Sequence, residues 1–154
     1  MAHRIGLISD THGQLPPAVH DIFGDVSQII HAGDIGPENI LIELESIAPV
    51  KAVYGNTDGW TIRKRFQKSL DLTIDDVQII VAHKPWHLKN VKKDSKRITV
   101  EIAGHLHEPQ VTHNGADLFV NPGSASHPRS GYKPSVAILT LENGKQPSAE
   151  IMFL

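Results

Sequence analysis

Seven side chains able to bind metal ions fall in five short stretches of this chain. Asp10 and His12 lie in Asp10-Thr11-His12, Asp34 follows Gly33, Asn56 follows Gly55, and His83 ends an apolar run. His105 and His107 complete the set in Gly104-His105-Leu106-His107. All are oxygen or nitrogen donors, and the chain has no cysteine, so disulfides and thiolate sites are excluded. Neutral imidazole suits Mn, Fe, Co, Ni or Zn ions, and carboxylates neutralise their charge. Such a set suits two divalent ions about 3.5–4 Å apart, joined by a carboxylate. Ions so placed bring the pKa of a water down to about 7 and neutralise phosphate oxygens during an in-line displacement. In Asp10-x-His12 and His105-x-His107, residues two apart in an extended segment point the same way. Gly33, Gly55 and Gly104 are expected to supply backbone turns that bring the ligands inward. Taken singly, Gly-Asp or Gly-Asn is more often only a turn; the joint order of the motifs carries the reading.

The flanking segments must position these residues. Arg4–Ser9, Gln28–His31 and Val50–Tyr54 read as buried strands, each ending just before a ligand motif. Helical spacing runs from Leu15 to about Phe23, with Pro16 and Pro17 in its first turn, and from Pro37 through Ile47. Strands alternating with helices predict a parallel sheet with crossover connections, whose sites lie beyond the strands' C-terminal ends. Further on, Asp75-Asp76, Asn114-Gly115 and Asn143-Gly144 mark tight turns. They join Leu70–Ile74 to Val77–Ala82, Val111–His113 to Ala116–Val120, and Ser135–Leu141 to Ala149–Leu154, read as antiparallel strands of a second sheet. Trp60–Gln67 reads as a short helix, and His87–Lys96 as a surface loop or lid.

A chain of 154 residues with 40% hydrophobic and 21% charged residues is expected to form one domain with a sizeable core. A net charge of −2 argues against a general nucleic-acid or membrane-surface binder. The N-terminus enters an apolar strand at once, so neither a leader nor a membrane span is expected, and a cytoplasmic location is the default. His31 reads as a packed or supporting residue, and His3, His20 and His113 as ordinary surface histidines. His87 and His127 are left between substrate and solvent. Asn121 and Ser124 read as supports of the site.

The ordered pattern D-x-H, G-D, G-N, H, G-H-x-H resembles the calcineurin-like metallophosphoesterases, in particular their small single-domain phosphodiesterase branch. The resemblance runs from Ser9-Asp10-Thr11-His12-Gly13 to Asn121-Pro122-Gly123-Ser124 with Pro128-Arg129. It implies a four-layer α/β/β/α sandwich of two packed mixed sheets flanked by helices, with residues 1–154 as a single domain. Carried over by position, Asp10, His12 and His107 bind one metal, Asn56, His83 and His105 the other, and Asp34 bridges them. Asp34, Asn56 and His83 take the catalytic positions. The resemblance implies hydrolysis of a small phosphodiester by a hydroxide activated at the dinuclear centre. Mn²⁺ is the expected ion, with Ni²⁺, Co²⁺, Fe²⁺ or Zn²⁺ as alternatives.

Two departures stand out. Where many family members carry a histidine after Gly-Asn, this chain has Thr57 and then Asp58. A threonine hydroxyl is a poor general acid near neutral pH, which favours the phosphodiesterase branch over monoesterases. Where the family often has His-Gly-His, this chain has His83-Lys84-Pro85. Thr57, Asp58 and Lys84 are the candidate substrate contacts, with Lys84 either bringing a positive charge near the phosphate or pointing to solvent. The rival readings are a protein-interaction scaffold of the same fold, as in a retromer subunit, and a phosphomonoesterase or nuclease. Homo-oligomerisation is left open.

Overall fold

Strand β1 (Ala2–Ile8) shows how the layers arise. Its residues alternate, so Ile5 and Leu7 enter one apolar cluster while Ile8 enters another, all with no exposed surface. A strand buried on both faces must sit inside a sheet between two layers. The computed structural model describes residues 2–154. β1 pairs in parallel with β2 (Gln28–His31), which pairs in parallel with β3 (Val50–Ala52). Helices α1 (Ala18–Ile22) and α2 (Asn39–Glu45) make the crossovers, and α3 (Trp60–Arg65) follows β3. Val19, Ile40, Leu41, Leu44 and Ile62 of these helices pack with Ile8 and Ile29 on the sheet's outer face. The first two helices are shorter than their apolar periodicity predicts, starting only after Pro17 and Glu38, neither of which makes a side-chain capping hydrogen bond.

The second sheet has the order β4-β5-β6-β8-β7. Its strands are β4 (Ser69–Ile74), β5 (Val77–Ala82), β6 (Thr99–Ile102), β7 (Pro109–Asn114) and β8 (Asp117–Pro122). Two of the expected hairpins form here, β4–β5 across Asp75-Asp76 and β7–β8 beside Gly115. Asp75 and Asp76 have φ of 48° and 65°, the mirror-image turn that suits strand twist. The sheet is mixed, because β5, β6 and β8 run parallel. The sequence shows no periodic signal for β6, which is four residues long.

The third hairpin, β9 (Ser135–Glu142) with β10 (Ser148–Phe153), corrects the sequence reading. It joins the first sheet, which has the order β10-β9-β1-β2-β3. Val136 and Ile138 face the helices while Ala137, Leu139 and Leu141 face the second sheet. Such a strand needs a central place, which the position beside β1 supplies.

Ile5, Leu7, Ile30 and Leu139 of the first sheet meet Ile79, Val81, Val100, Ile102 and Val120 of the second to form the central core. The second sheet's outer layer is thin. A 3₁₀ segment, Pro85–Asn90, packs Leu88 and the following Val91 against Ile80, Ala82 and Ala103. The first part of the segment expected as a loop or lid is therefore anchored. No helix among the described residues is long and apolar enough to cross a membrane.

Candidate metal centre

Parallel strands of both sheets bring the ligand motifs to one edge. Asp10 and His12 follow β1, Asp34 follows β2, Asn56 follows β3, His83 follows β5, and His105 and His107 follow β6. Five of these seven residues have φ in the left-handed region: Asp10 at 53°, His12 at 46°, Asp34 at 56°, His105 at 70° and His107 at 57°. The expected extended geometry of the two x-spaced pairs is thus replaced by tight left-handed turns. Such a conformation costs about 1–2 kcal/mol per residue and persists only where the surroundings over-determine it. Here they do. The backbone N–H groups of Asp10 and His12 donate to the carbonyls of Gly33 and Asp34, both at 3.0 Å, and that of His105 donates to Asp10 Oδ2 at 3.0 Å.

The glycines act differently from expectation. Gly33 does have a positive φ, 102°, but Gly55 and Gly104 are outside the left-handed region. They are needed for space. A Cβ on Gly55 would stand 2.1 Å from Asp34 Oδ1, and one on Gly104 would stand 1.9 Å from Ser9 Oγ and 2.6 Å from Asp10 Oδ2.

The donors converge as two groups, Asp10 with His12 and His107, and Asp34 with His83 and His105; within each, the donor atoms lie within 4.8 Å of one another. His107 Nε2 is 3.1 Å and His12 Nε2 3.6 Å from Asp10 Oδ1. Asp34 Oδ2 stands between the groups, 3.8 Å from His12 Nε2 and 3.2 Å from His83 Nε2. None of these pairs is an ordinary hydrogen bond: the two to His12 are too long and the other two are misaligned. Asp10 Oδ1, His12 Nε2 and His83 Nε2 are buried with no hydrogen-bond partner among the described residues. Orphaned buried groups cost about 1–3 kcal/mol each, more when charged, so their convergence calls for a cation. The donor set fits divalent metals. His83 Nδ1 donates to the Ala32 carbonyl at 2.7 Å, and His107 Nδ1 to the His127 carbonyl, which leaves each Nε2 free to bind metal.

The charges are tuned to match. Burial pushes the Asp10 carboxyl up, but the His107 and His12 imidazoles outweigh it and hold it well below the usual carboxylate range. Asp34 is lowered likewise, burial being outweighed by His83 and the Thr57 N–H. Burial disfavours the His83 imidazolium, yet Asp34 and Asp10 raise its pKa; Asp10 does the same for His107. The carboxylates thus favour the protonated forms of His83 and His107.

Three residues expected at the substrate have other tasks or a different setting. Asp58 is 5% exposed, and its carboxylate accepts the backbone N–H groups of Asp34, Ile35, Gly36 and Gly55 at 2.8–3.1 Å. It ties the β2 loop to the β3 loop and is not a substrate contact. The backbone N–H of Thr57 donates to Asp34 Oδ1 at 2.9 Å, so this residue orients Asp34. Lys84 is half-buried and lines a recess with Asn56 and His83. We expect Asp58→Ala to lower unfolding free energy by more than about 3 kcal/mol, because four buried donors lose their acceptor. Denaturant unfolding measures this. A loss below about 1 kcal/mol would show that the four donors find other partners.

Among the residues that support the site, Thr11 and Ser126 have no clear signal in the sequence, whereas His31, Asn121 and Ser124 are the supports read from it. Thr11 Oγ1 donates to the Ile35 carbonyl at 2.7 Å and pairs with His31 Nε2 at 3.0 Å, while the Gly33 N–H donates to His31 Nδ1 at 3.1 Å. Complete burial pushes His31 down to about 3, so it serves as a neutral strut. Ser124 Oγ donates to the Asp10 carbonyl at 2.7 Å, and Asn121 Nδ2 donates to the Gly104 carbonyl at 3.1 Å. Ser126 Oγ lies 2.6 Å from both the Thr11 carbonyl and His127 Nδ1. The exposed His127 ring stands 5.5 Å from the His12 ring, at the mouth of the first group.

Comparison with known proteins bears on this arrangement. The profile of the calcineurin-like phosphoesterase superfamily domain matches residues 3–144. A probable metallophosphoesterase of Methanothermobacter thermautotrophicus is 34% identical, over 96% of this chain and 91% of its own length. A solved structure described as a novel archaeal phosphodiesterase superposes with a TM-score of 0.78 at 28% identity, covering 98% of this chain and 99% of that one. Vacuolar Protein Sorting 29 from Cryptosporidium parvum shares the fold, with a TM-score of 0.74 at 18% identity over 99% of both chains. On the extent of the family match and the identity to its metallophosphoesterase relative, the chain belongs to the calcineurin-like phosphoesterase superfamily.

Proposed function

We propose that this chain is a metal-dependent phosphodiesterase that acts through two divalent ions, Mn²⁺ first among them, in a single domain. The observation that carries the reading is the set of unpartnered buried donors, Asp10 Oδ1, His12 Nε2 and His83 Nε2, gathered beyond the C-terminal ends of β1 and β5, the first two on left-handed backbone. Asp10, His12 and His107 would hold one ion, and His83 and His105 with Asn56 the other; Asp34, whose Oδ2 faces one histidine of each group, would serve both. When bound, the ions supply the charge that activates water and neutralises phosphate oxygens. Thr57 steadies Asp34 Oδ1, and Ala32 and the His127 carbonyl fix two imidazoles for ligation. A scaffolding role would leave the strained ligand loops and unpaired donors without a use.

No imidazole stands at position 57 to protonate a departing alkoxide, so esters with good leaving groups suit the site. We expect chelation to abolish hydrolysis of bis(p-nitrophenyl) phosphate, Mn²⁺ to restore it, and p-nitrophenyl phosphate to be the poorer substrate. Calorimetric metal affinity should fall as the pH falls, because His83 and His107, both with raised pKa values, must lose protons to ligate. Full turnover by metal-free protein would overturn the reading, and a clear monoester preference would redirect it to phosphomonoesters.

A further inference from the structure

The recess beside the second group of donors is charged in a way that a simple diester does not require. It is lined by His83 and Asn56 together with Arg63, Lys68, Lys84 and His87, and its volume is about 200 Å³. The three cations come from different elements: Arg63 from α3, Lys68 from the residue before β4, and Lys84 from the turn after β5. No carboxylate lines the recess, and among the described residues none of the three cations has a carboxylate oxygen within 4.0 Å.

Arg63 is already in place. Its Nε donates to the Asp58 carbonyl at 2.7 Å, Nη2 lies 3.3 Å from the Gly55 and Asn56 carbonyls, and the guanidinium packs 4.7 Å from the centre of the Tyr54 ring. All these partners are neutral, so its charge is oriented but not cancelled. Lys84 Nζ lies 5.8 Å from the centre of the Trp86 ring, another neutral partner. Partial desolvation, Lys68, Lys84 and Lys89 lower the basicity of His87, which leaves its ring a neutral hydrogen-bonding group among cations.

The argument from charge is direct. A phosphodiester carries one negative charge, and two divalent ions already face it. Three further uncompensated cations, opening onto two ligands of the second ion, match a second anion a short distance from the scissile phosphate. We propose that the recess is a subsite for a terminal phosphate on one arm of the diester. The natural substrate is then a phosphodiester with a phosphomonoester at the end of that arm. This inference rests on the phosphodiesterase reading.

The test uses Mn²⁺-loaded protein and matched pairs of probes. Propyl p-nitrophenyl phosphate is compared with the same diester phosphorylated at the far end of its propyl arm, and kcat/KM is measured for each. Independently of turnover, calorimetry compares propyl phosphate with propane-1,3-diol bisphosphate. We expect the phosphorylated probe to be favoured by about tenfold or more in both measurements, the return of a charge-assisted hydrogen bond. The ratios should fall toward one in the Lys68→Gln/Lys84→Gln variant and at high salt, and stay unchanged in Lys51→Gln on β3. Ratios near one in the parent protein, or ratios unaffected by the double substitution, would overturn the proposal. If the bisphosphate preference holds and depends on both lysines while neither diester is hydrolysed, the subsite stands and the phosphodiesterase reading falls.

Discussion

Gly104→Ala is expected to abolish metal binding and to destabilise the fold, although it adds one methyl group. The new Cβ would lie 1.9 Å from Ser9 Oγ and 2.6 Å from Asp10 Oδ2. Neither can retreat: Ser9 and Asp10 have no exposed surface, and Ser9 Oγ donates to Asp10 Oδ2 at 2.6 Å. The Gly104 backbone is equally fixed, its N–H donating to the His83 carbonyl at 2.9 Å and its own carbonyl accepting from Asn121 at 3.1 Å. Overpacking of ordinary cores costs about 1–3 kcal/mol and occasionally more, and an overlap this deep belongs at the upper end. The methyl group would also push apart a ligand of each group, since Asp10 Oδ2 accepts from the His105 N–H. A misplacement of about 1 Å at a reacting centre costs about 10²-fold in rate. The control is Gly59→Ala, whose Cβ meets nothing within 4 Å, and which should stay within about 0.5 kcal/mol of the parent. Denaturant unfolding and bound-metal analysis read both effects. A Gly104→Ala protein with parental stability and two bound ions would mean that the loops yield more easily than their burial implies.

We expect Asp34→Asn to lower turnover by more than about 10²-fold and to resist rescue by excess metal, whereas His107→Ala should be partly rescued. The difference follows from what each atom faces. Asp34 Oδ1 is held by the Thr57 N–H, so an asparagine would keep its oxygen there and turn its amide NH₂ toward His12 and His83. A donor would replace the shared anionic ligand, and both ions would lose a partner. His107 stands 3.1 Å from Asp10 Oδ1 and belongs to one group only. Its loss should weaken one ion by at least the roughly 10–100-fold seen when a ligand's supporting partner is removed, which higher metal concentration offsets. Titrating metal into each variant while following turnover and metal content separates the cases. Normal turnover with two ions bound in Asp34→Asn would show that Asp34 does not bridge.

Much of this arrangement can be read along the chain. The apolar runs ending at His31 and Ala82 mark strands whose C-terminal ends carry Asp34 and His83, and Asp75-Asp76 announces its hairpin. Donor chemistry is also local, because a histidine or aspartate brings its ligand atoms wherever it stands. Other features are not local. β6 is four residues long and owes its place to β5 and β8 on either side. The β9–β10 hairpin is visible as a hairpin, but its assignment to the first sheet depends on the cores that cover both faces of β9. The charge on Asp58 suggests a substrate contact until four backbone N–H groups from two loops are found to converge on it.

The sequence by itself determined the identity and order of the donors, the strands that carry most of them, and the absence of an imidazole at position 57. Only the tertiary structure decided how those donors meet. It put five of the seven donors into left-handed turns, made Gly55 and Gly104 necessary for close approach, and gathered Arg63, Lys68 and Lys84 around one recess. The physical reason is that conformational strain, steric exclusion and electrostatic field depend on which distant segments are brought together. Strand pairing and core packing set those distances, and no local window of the chain contains them.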